Sequence, residues 1–448
     1  MITIFLFLLY NILVNNQTNC VLGVNMHDFN NYFLDLEKLI SYKSVCDKPS
    51  VNAPFGTEIA KCLIHFLDLA KSFGFETINY DNYIGEIVFG EGEEVGIIGH
   101  LDVVPIGLGW ETDPFTLTEK DGVFYGRGVS DDKAPLLSCL YALKELKDSG
   151  LKINKKIRLF VGTDEETGWR DIDYLKTKTT VPEFGFSPDG DFPLSYAEKG
   201  IAYVNFTING LKNFTDIKGG TVINAVCDYA TARPLIKVDE KELNSFGLSL
   251  NEEGLIVSKG KSAHGSVPHL GKNAIKPLFE YFFSKGENVK QVLDCVFYDK
   301  LEVGKLKTEQ GYLTFSPNII SEKDGLITIQ CDCRFPAPLE EKDFLPYFKA
   351  FNLNVETFIK HPSVMVEKKG EFVQTLLNAY NTITGENAQP VSMGGSTFAR
   401  AFNKGCSFGP KFIGQVDNIH DANEMVSKEN LLTAYKIYKK AIFDLASK

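Results

Sequence analysis

The clearest pattern in the chain is an alternation between short apolar runs and longer segments in which apolar residues recur every three or four positions. The runs Val95–Ile98 and Ile157–Val161 are typical of strands that are buried on both faces of a parallel sheet. Thr57–Phe73, which precedes them, and a segment that opens at Pro135 have the spacing of core-facing helices. Together they predict a three-layer α/β/α domain, with helices on both faces of the sheet.

The pattern changes from about Ile201, where apolar and polar residues alternate as in a sheet with one buried face. The alternation returns over Leu326–Cys333, and a helix is predicted between them at Asn273–Phe283. A chain of 448 residues is also too long for one hydrophobic core. The predicted organisation is a discontinuous α/β domain of residues 26–199 and 369–448, and an inserted α+β domain of residues 200–368.

Residues 1–25 need a separate interpretation. Their apolar run has the length of a signal peptide, but it lacks a basic start and a clear small-residue cleavage site, and it is short for a membrane span. Met26 stands directly before the first amphipathic helix of the globular body. We interpret residues 1–25 as a leader or a misassigned start, which leaves a secreted or membrane-anchored form open.

Composition narrows the class of protein but does not choose its function. The net charge of −11 argues against nucleic acid or an anionic membrane as a partner, because both would repel surplus carboxylates. The nine cysteines include no CxxC pair and no regular framework, which indicates buried thiols in a reducing compartment. We therefore expect a cytoplasmic globular protein.

Polar residues that could carry chemistry follow the predicted strands. Val95–Ile98 leads to His100 and Asp102, and Ile157–Val161 leads to a run of three acids, Asp164–Glu166. The carboxyl ends of parallel strands meet at one edge, where α/β proteins bind ligands. Three adjacent acids at such an edge repel one another unless a cation is present, although a solvated turn is the alternative interpretation.

Three more segments supply possible ligands. Asp131 and Asp132 lie in GRGVSDDKAP, Asp189 lies in SPDGDFP, and His420 lies in NIHDANE before the last helix. Each alone is typical of a helix start or a turn. As a set with His100 they have the nitrogen and oxygen donors that suit a zinc or manganese pair.

In this order the segments resemble the M20 metallopeptidase family, and most closely its branch of Xaa-His and broad-specificity dipeptidases. The resemblance extends from residue 99 to residue 424, and it implies a catalytic domain with an inserted lid. The motifs that carry it are GHLDVVP, GRGVSDDKAP, GTDEETGW, SPDGDFP, GGTVINAV, CRFPAP, GGSTFAR and HDANE.

The resemblance also implies two divalent cations in each subunit, Zn²⁺ with Mn²⁺ as the alternative. Asp102 would orient a ligand, and Glu165 would be the general base that activates a metal-bridging water. The implied metal ligands are His100, Asp131 as the bridge, Glu166, Asp189 and His420.

The same resemblance assigns residues to the substrate. His264 would close over it and hold the developing oxyanion, and Arg334 would pair with a C-terminal carboxylate, although a structural salt bridge is the alternative for Arg334. The other implied substrate contacts are Asn224, Gly394, Gly395, Ser396 and Thr397. Ser396 stands where the family has a third glycine, and Ala134 stands where a glycine is usual after Asp-Asp-Lys.

The function that follows is dinuclear, metal-dependent hydrolysis of dipeptides by a metallodipeptidase, with a small peptide as the partner. A monomer is favoured and a homodimer is the alternative. Two other functions stay open: an N-acyl amino acid amidohydrolase of the same family, and a peptide-binding relative without catalysis.

Overall fold

The computed structural model describes residues 26–300, 302–350, 353–416 and 418–447. The predictions for residues 1–25 lie outside this part of the chain. No helix among the described residues is both long and apolar enough to cross a membrane. The cysteines described, from Cys46 to Cys406, are all free thiols, and all but Cys46 are buried.

The helices and strands predicted from the apolar pattern are present in the predicted order, and the structure has further elements between them. The helices are α1 (Met26–Ile40), α2 (Thr57–Ser72), α3 (Lys133–Asp148), α4 (Arg170–Lys178), α5 (Glu240–Ser245), α6 (Ile275–Ser284), α7 (Glu341–Lys349), α8 (Glu371–Thr384) and α9 (Lys428–Ala446), with short helical segments at Pro268–Leu270, Lys290–Val292, Leu293–Phe297, Val303–Lys305 and Phe398–Ala401. The strands are β1 (Glu76–Tyr80), β2 (Ile84–Phe89), β3 (Glu93–His100), β4 (Thr118–Lys120), β5 (Val123–Tyr125), β6 (Lys155–Gly162), β7 (Phe184–Ser187), β8 (Gly190–Asp191), β9 (Ser195–Glu198), β10 (Gly200–Asn209), β11 (Phe214–Gly219), β12 (Tyr229–Pro234), β13 (Leu248–Leu250), β14 (Ile256–Lys259), β15 (Lys307–Thr308), β16 (Gly311–Tyr312), β17 (Thr314–Lys323), β18 (Leu326–Phe335), β19 (Asn354–His361), β20 (Val364–Met365), β21 (Val391–Met393), β22 (Lys404–Ser407), β23 (Pro410–Lys411) and β24 (Met425–Ser427).

The chain forms two compact units. The first unit runs to Tyr196 and resumes over Val366–Val391 and again from Thr397. The second unit comprises Ala197–Met365 together with the short segment Ser392–Ser396. The second unit is therefore inserted into the first, and one later loop of the chain returns to it.

The first unit is built on a mixed sheet whose centre is parallel. Its strand order is β1-β2-β6-β3-β7-β22-β9. The pairs β3 with β6, β3 with β7, and β7 with β22 are parallel, whereas β1, β2 and β9 run antiparallel to their neighbours. The two apolar runs identified in the sequence are β3 and β6, and both lie in the parallel centre of the sheet.

Helices cover both faces of this sheet, which confirms the predicted α/β class. On one face α2 packs on β1 and β2, α3 packs on β3, and α9 packs on β6. On the other face α4 and the segment Phe398–Ala401 enclose a separate apolar cluster. The members of that cluster are Ile84, Ile98, Phe160, Ile172, Leu175, Phe398, Ala401 and Phe402.

The second unit is an α+β structure with an antiparallel sheet of the order β13-β14-β12-β11-β17-β18-β10-β19. Residues on one side of β10, such as Val204 and Phe206, are fully buried, whereas Tyr203 and Asn205 on the other side are half-buried. Side chains of α5, α6 and α7 share one core with the buried side of the sheet. The alternation read from the sequence reflects this one-sided burial.

The ring of Phe402 packs directly against two glycines on neighbouring strands, Gly96 of β3 and Gly185 of β7. A Cβ added at Gly96 would lie 2.2 Å from the ring, and one at Gly185 would lie 2.4 Å from it. We expect Gly96→Ala to lower the free energy of unfolding by about 1–3 kcal/mol, because a methyl group there overpacks the core. Urea unfolding followed by circular dichroism would measure the change.

Phe402→Leu provides the matched background for this substitution, because leucine lacks the ring atoms that Gly96 faces. Gly96→Ala should lower the free energy of unfolding less in that background than in the wild type. Equal costs in the two backgrounds would show that the ring contact is not the reason for glycine at this position.

Candidate metal centre

His100 is the last residue of β3, and it is almost completely buried at the carboxyl edge of the parallel strands. Its backbone N–H donates to Asp132 Oδ2 over 3.1 Å. A Cβ at Gly99 would lie 2.1 Å from the same oxygen, so only glycine lets the strand approach Asp132 this closely. The end of β3 is thereby packed against the start of α3, which follows Asp132.

Asp102 connects His100 to the acidic turn after β6. Its carboxylate oxygens accept the backbone N–H groups of Glu165 over 3.2 Å and of Glu166 over 3.1 Å. Its Oδ1 lies 3.4 Å from His100 Nδ1, and that nitrogen is 2.9 Å from the Asp102 carbonyl oxygen. Asp102 therefore contacts the histidine, as expected of an orienting acid, and also fixes the backbone that carries two predicted site residues.

Asp131 lies between the two histidines. Its Oδ1 is 3.0 Å from His100 Nε2, and its Oδ2 is 3.0 Å from His420 Nε2. His420 Nε2 is also 3.1 Å from Glu166 Oε2, and His100 Nε2 is 3.8 Å from Asp189 Oδ2. The arrangement has two halves that share one carboxylate, as expected for a bridging ligand between two cations.

Glu165 joins the same cluster. The ligand atoms of His100, Glu165 and Asp189 all lie within 4.8 Å of one another, and so do those of His100, Asp131 and Glu166. The structure therefore brings all the predicted metal ligands and the predicted base together. The residues in this cluster are His100, Asp131, Glu165, Glu166, Asp189 and His420.

Charge in the cluster is strongly unbalanced towards carboxylates. Burial and the charge of Asp131 raise the pKa of Asp189 to about 8, and burial also raises the pKa of Glu165 and Glu166. The partial burial of His420 would lower its pKa, but its contacts with Asp131 and Glu166 outweigh this effect and raise that pKa to about 11. Asp131 stays charged between the two histidines, whereas the other three carboxyl groups have raised pKa values. This set of four carboxyl groups and two imidazoles fits a pair of divalent cations of the zinc or manganese type.

The first acid of the run after β6 does not face the cluster. Asp164 is fully buried, and its oxygens accept from Arg170 Nε over 2.7 Å and from Arg170 Nη2 over 2.6 Å. The repulsion that a cation would relieve therefore lies between Glu165 and Glu166, whereas Arg170 neutralises Asp164. Arg170 follows Asp164 by six residues, and this short separation was the sign of their pairing in the sequence.

Sequence reasoning missed Glu424 and Arg127. Glu424 is fully buried, and its Oε2 lies 3.0 Å from Arg127 Nη1. The two residues lie in the motifs HDANE and GRGVSDDKAP, so both were visible in the sequence. Their pairing could not be predicted from spacing, because they are 297 residues apart.

Several predicted substrate contacts lie together in the second unit. The backbone N–H of Gly265, next to His264, donates to the Asn224 carbonyl oxygen over 2.7 Å. A Cβ at Gly265 would lie 2.2 Å from Asp332 Oδ2, and Arg334 Nε donates to Asp332 Oδ1 over 2.9 Å. The salt bridge considered as the alternative for Arg334 is therefore present, and it lies beside the turn that carries His264.

The predicted loop of residues 394–397 is divided between the units. Gly394, Gly395 and Ser396 belong to the second unit, where a Cβ at Gly394 would lie 3.0 Å from Ser266 Cβ. Thr397 belongs to the first unit, and its hydroxyl accepts the backbone N–H of Ala399 over 3.2 Å at the start of a short helical segment. Thr397 thus has a local structural role in addition to any contact with a substrate.

The sequence of the chain also matches a known protein family and named relatives. The sequence profile of peptidase family M20/M25/M40 matches residues 96–444. A protein of Staphylococcus epidermidis named "Putative dipeptidase" is 33% identical over 455 residues, which cover 92% of this chain and 96% of the relative.

Two solved structures share the fold. The di-peptidase Dug1p from Saccharomyces cerevisiae aligns with a TM-score of 0.59 and 16% identity, over 96% of this chain and 98% of that one. The YXEP protein of Bacillus subtilis, described as a dinuclear metal binding peptidase of the M20 family, aligns with a TM-score of 0.52 and 10% identity, over 93% of this chain and 99% of that one.

We expect binding of Zn²⁺ to the metal-free protein to release protons and to become tighter as the pH rises from about 6 to about 9. Without metal, Asp189 with a pKa of about 8 and His420 with a pKa of about 11 hold protons near neutral pH. Both must lose them before they can donate an electron pair to a cation. Titration calorimetry in two buffers of different ionisation enthalpy would count the released protons.

Asp189→Asn is the control for this count, because the amide has no carboxyl proton to release. The variant should release fewer protons per bound cation than the wild type. A heat of binding that is identical in both buffers would contradict the protonation states inferred for the cluster.

Proposed function

The chain belongs to peptidase family M20/M25/M40, a family of metal-dependent hydrolases that act on peptide bonds, and we propose that it is a dinuclear metallodipeptidase. The observation that carries the proposal is the position of Asp131, with one carboxylate oxygen 3.0 Å from each of two histidines. The carboxylate of Glu165 lies in the same cluster. This combination supports two cations and a neighbouring base.

We propose that His100 and Asp189 bind one cation, that Glu166 and His420 bind the other, and that Asp131 bridges them. Two divalent cations held by these residues would lower the pKa of a water molecule and so supply the nucleophile near neutral pH. We propose Zn²⁺, which the Irving–Williams order favours for nitrogen and oxygen donors, with Mn²⁺ as the alternative. The B. subtilis protein described as dinuclear supports the number of cations.

Glu165 is the proposed general base. Burial raises the pKa of its carboxyl group, which suits a residue that first accepts a proton and later donates it to the leaving amine. Its backbone N–H is held by Asp102 Oδ1, so the start of its side chain is fixed relative to His100.

The second unit is the proposed lid, predicted at residues 200–368, and it supplies the substrate contacts. His264 would stabilise the oxyanion, and Arg334 would bind the C-terminal carboxylate of the peptide. Asp332 holds the Nε edge of the Arg334 guanidinium, which fixes its plane without removing its charge. Recognition of a C-terminal carboxylate next to the scissile bond would favour dipeptides over longer peptides.

The name of the S. epidermidis relative and the description of Dug1p support a dipeptide as substrate. An N-acyl amino acid also has a free carboxylate but no free amino group. The two substrate classes therefore differ at the amino end of the molecule, and a direct comparison of both separates the proposed function from its alternative.

We expect the Zn²⁺- or Mn²⁺-loaded protein to hydrolyse dipeptides, and to act poorly on tripeptides and on N-acetyl amino acids. Glu165→Gln should lower kcat by about 10²–10⁴-fold, because a general base of this kind contributes that factor. The variant should still bind two cations, since Glu165 is assigned to the proton and not to the metals. Amine release and metal analysis after dialysis would measure both quantities.

His100→Ala is the matched control, because it removes a proposed ligand and should lower metal content together with activity. Faster cleavage of N-acetyl amino acids than of dipeptides would replace the proposal by an amidohydrolase. An active Glu165→Gln protein would show that another group is the base.

We expect Arg334→Lys to lower kcat/KM for a dipeptide by about 10- to 100-fold. Lysine lacks the paired N–H donors of the guanidinium, and hydrogen bonds to a charged group contribute about 1.5–3 kcal/mol. The same dipeptide with an amidated C-terminus should be a poor substrate for the wild type and should lose little more in the variant. The measurement is kcat/KM for the free and the amidated dipeptide, each with the wild type and with Arg334→Lys. An equal loss on the two substrates would indicate that Arg334 acts only through its salt bridge with Asp332.

A further inference from the structure

We propose that Glu424, together with Arg127, is a positioning residue that sets the affinity of the half-site formed by Asp131, Glu166 and His420. The inference rests on the proposed function, because it concerns the cation that this half-site would hold. It adds a residue that binds neither cation nor substrate. Its effect would act through the two chain segments that carry Asp131 and His420.

Glu424 accepts four hydrogen bonds from the turn that carries Asp131. Its Oε1 accepts the backbone N–H groups of Ser130 over 2.8 Å and of Asp131 over 3.1 Å. Its Oε2 accepts the backbone N–H of Gly128 over 2.9 Å and Arg127 Nη1 over 3.0 Å. The turn is thus shaped around one buried carboxylate, and the backbone of Asp131 itself is one of its donors.

Arg127 holds the same carboxylate to the loop that carries His420. Besides Glu424, its guanidinium donates through Nη2 to the Asp421 carbonyl oxygen over 3.1 Å and to the Pro105 carbonyl oxygen over 3.4 Å. The guanidinium carbon also lies 5.3 Å from the centre of the Trp110 ring. Because Asp421 directly follows His420, a displacement of Arg127 would be transmitted to that histidine.

The two halves of the centre differ in how their histidines are fixed. His100 ends a strand that is paired on both sides, and its ring contacts Asp102. His420 lies in a loop with a φ of 66°, and its side chain is 51% exposed. Loss of the Glu424 contacts should therefore disturb the His420 half more than the His100 half.

If the Glu424–Arg127 ion pair only stabilised the fold, its removal would have a different effect. Removing one partner of such a pair destabilises the whole fold and leaves a buried charge without compensation. Its effect on metal binding would follow from unfolding and would not select one of the two cations. The two roles are therefore distinguished by the affinity of each cation measured separately.

The test is a titration of the metal-free full-length protein with Zn²⁺ against a competing chelator, with Glu424→Gln compared with the wild type. Glutamine keeps the shape of the side chain but replaces one acceptor oxygen by a donor group. We expect the first cation to bind as in the wild type and the second to bind about 10- to 100-fold more weakly, the usual range for a residue that orients a ligand. His420→Ala should reproduce this loss of one site.

Glu86→Gln is the matched control, because Glu86 also pairs with a buried arginine, Arg158, through Nε over 2.6 Å. Arg158 lies opposite Gly96 in the neighbouring strand β3, and Gly96 is four residues before His100. At the usual rise of a strand, this places the pair about 13 Å from His100. The variant should bind both cations as the wild type does. Equal weakening of the second cation in Glu86→Gln and Glu424→Gln would overturn the inference.

Arg127→Lys provides a second test if Glu424→Gln does not fold. Lysine keeps the charge next to Glu424 but cannot also reach the carbonyl oxygens of Asp421 and Pro105, so it too should weaken the second cation selectively. Two tight cations in a folded variant would overturn the inference and leave the proposed function intact. A wild type that binds no cation would instead refute the proposed function.

Discussion

The first unit is organised around a group of buried carboxylates that the protein itself does not neutralise. Asp131 is stabilised in its charged form by His100 and His420, which outweigh the effect of burial and lower its pKa. In Asp189, Glu165 and Glu166 burial outweighs the nearby histidines and raises the pKa of each carboxyl group. A fold that keeps these groups at one edge must hold them by other contacts, and the backbone hydrogen bonds of Asp102 and Glu424 provide those contacts.

The central strands could be predicted because a continuous run of apolar residues is visible within each short segment. β3 and β6 are continuous apolar runs, and each ends where polar residues begin, so His100 and the acids after β6 were expected at one edge. The turn residues were harder, because Asp131, Asp189 and His420 each look like an ordinary turn or helix-start residue. Only their order along the chain, through the family resemblance, joined them into one set.

What could not be predicted is mostly pairing between distant segments. Arg127 and Glu424 form a buried ion pair across 297 residues, and no periodicity or spacing relates them. Asp164 differs, because its partner Arg170 is close in sequence and only the direction of the Asp164 side chain depends on the turn between them. Asp332 and Arg334 are a different case, since alternate residues of one strand share a face and their contact was open to prediction.

The arrangement separates rigid and adjustable parts of the chemistry within the first unit. His100 is fixed by a paired strand, whereas His420 depends on a loop that side chains hold in place. In the proposed metal centre, the sheet therefore holds one histidine and a loop holds the other. Glu424 and Arg127 connect the two parts, because Glu424 accepts the backbone N–H of Asp131 and Arg127 donates to the Asp421 carbonyl oxygen next to His420.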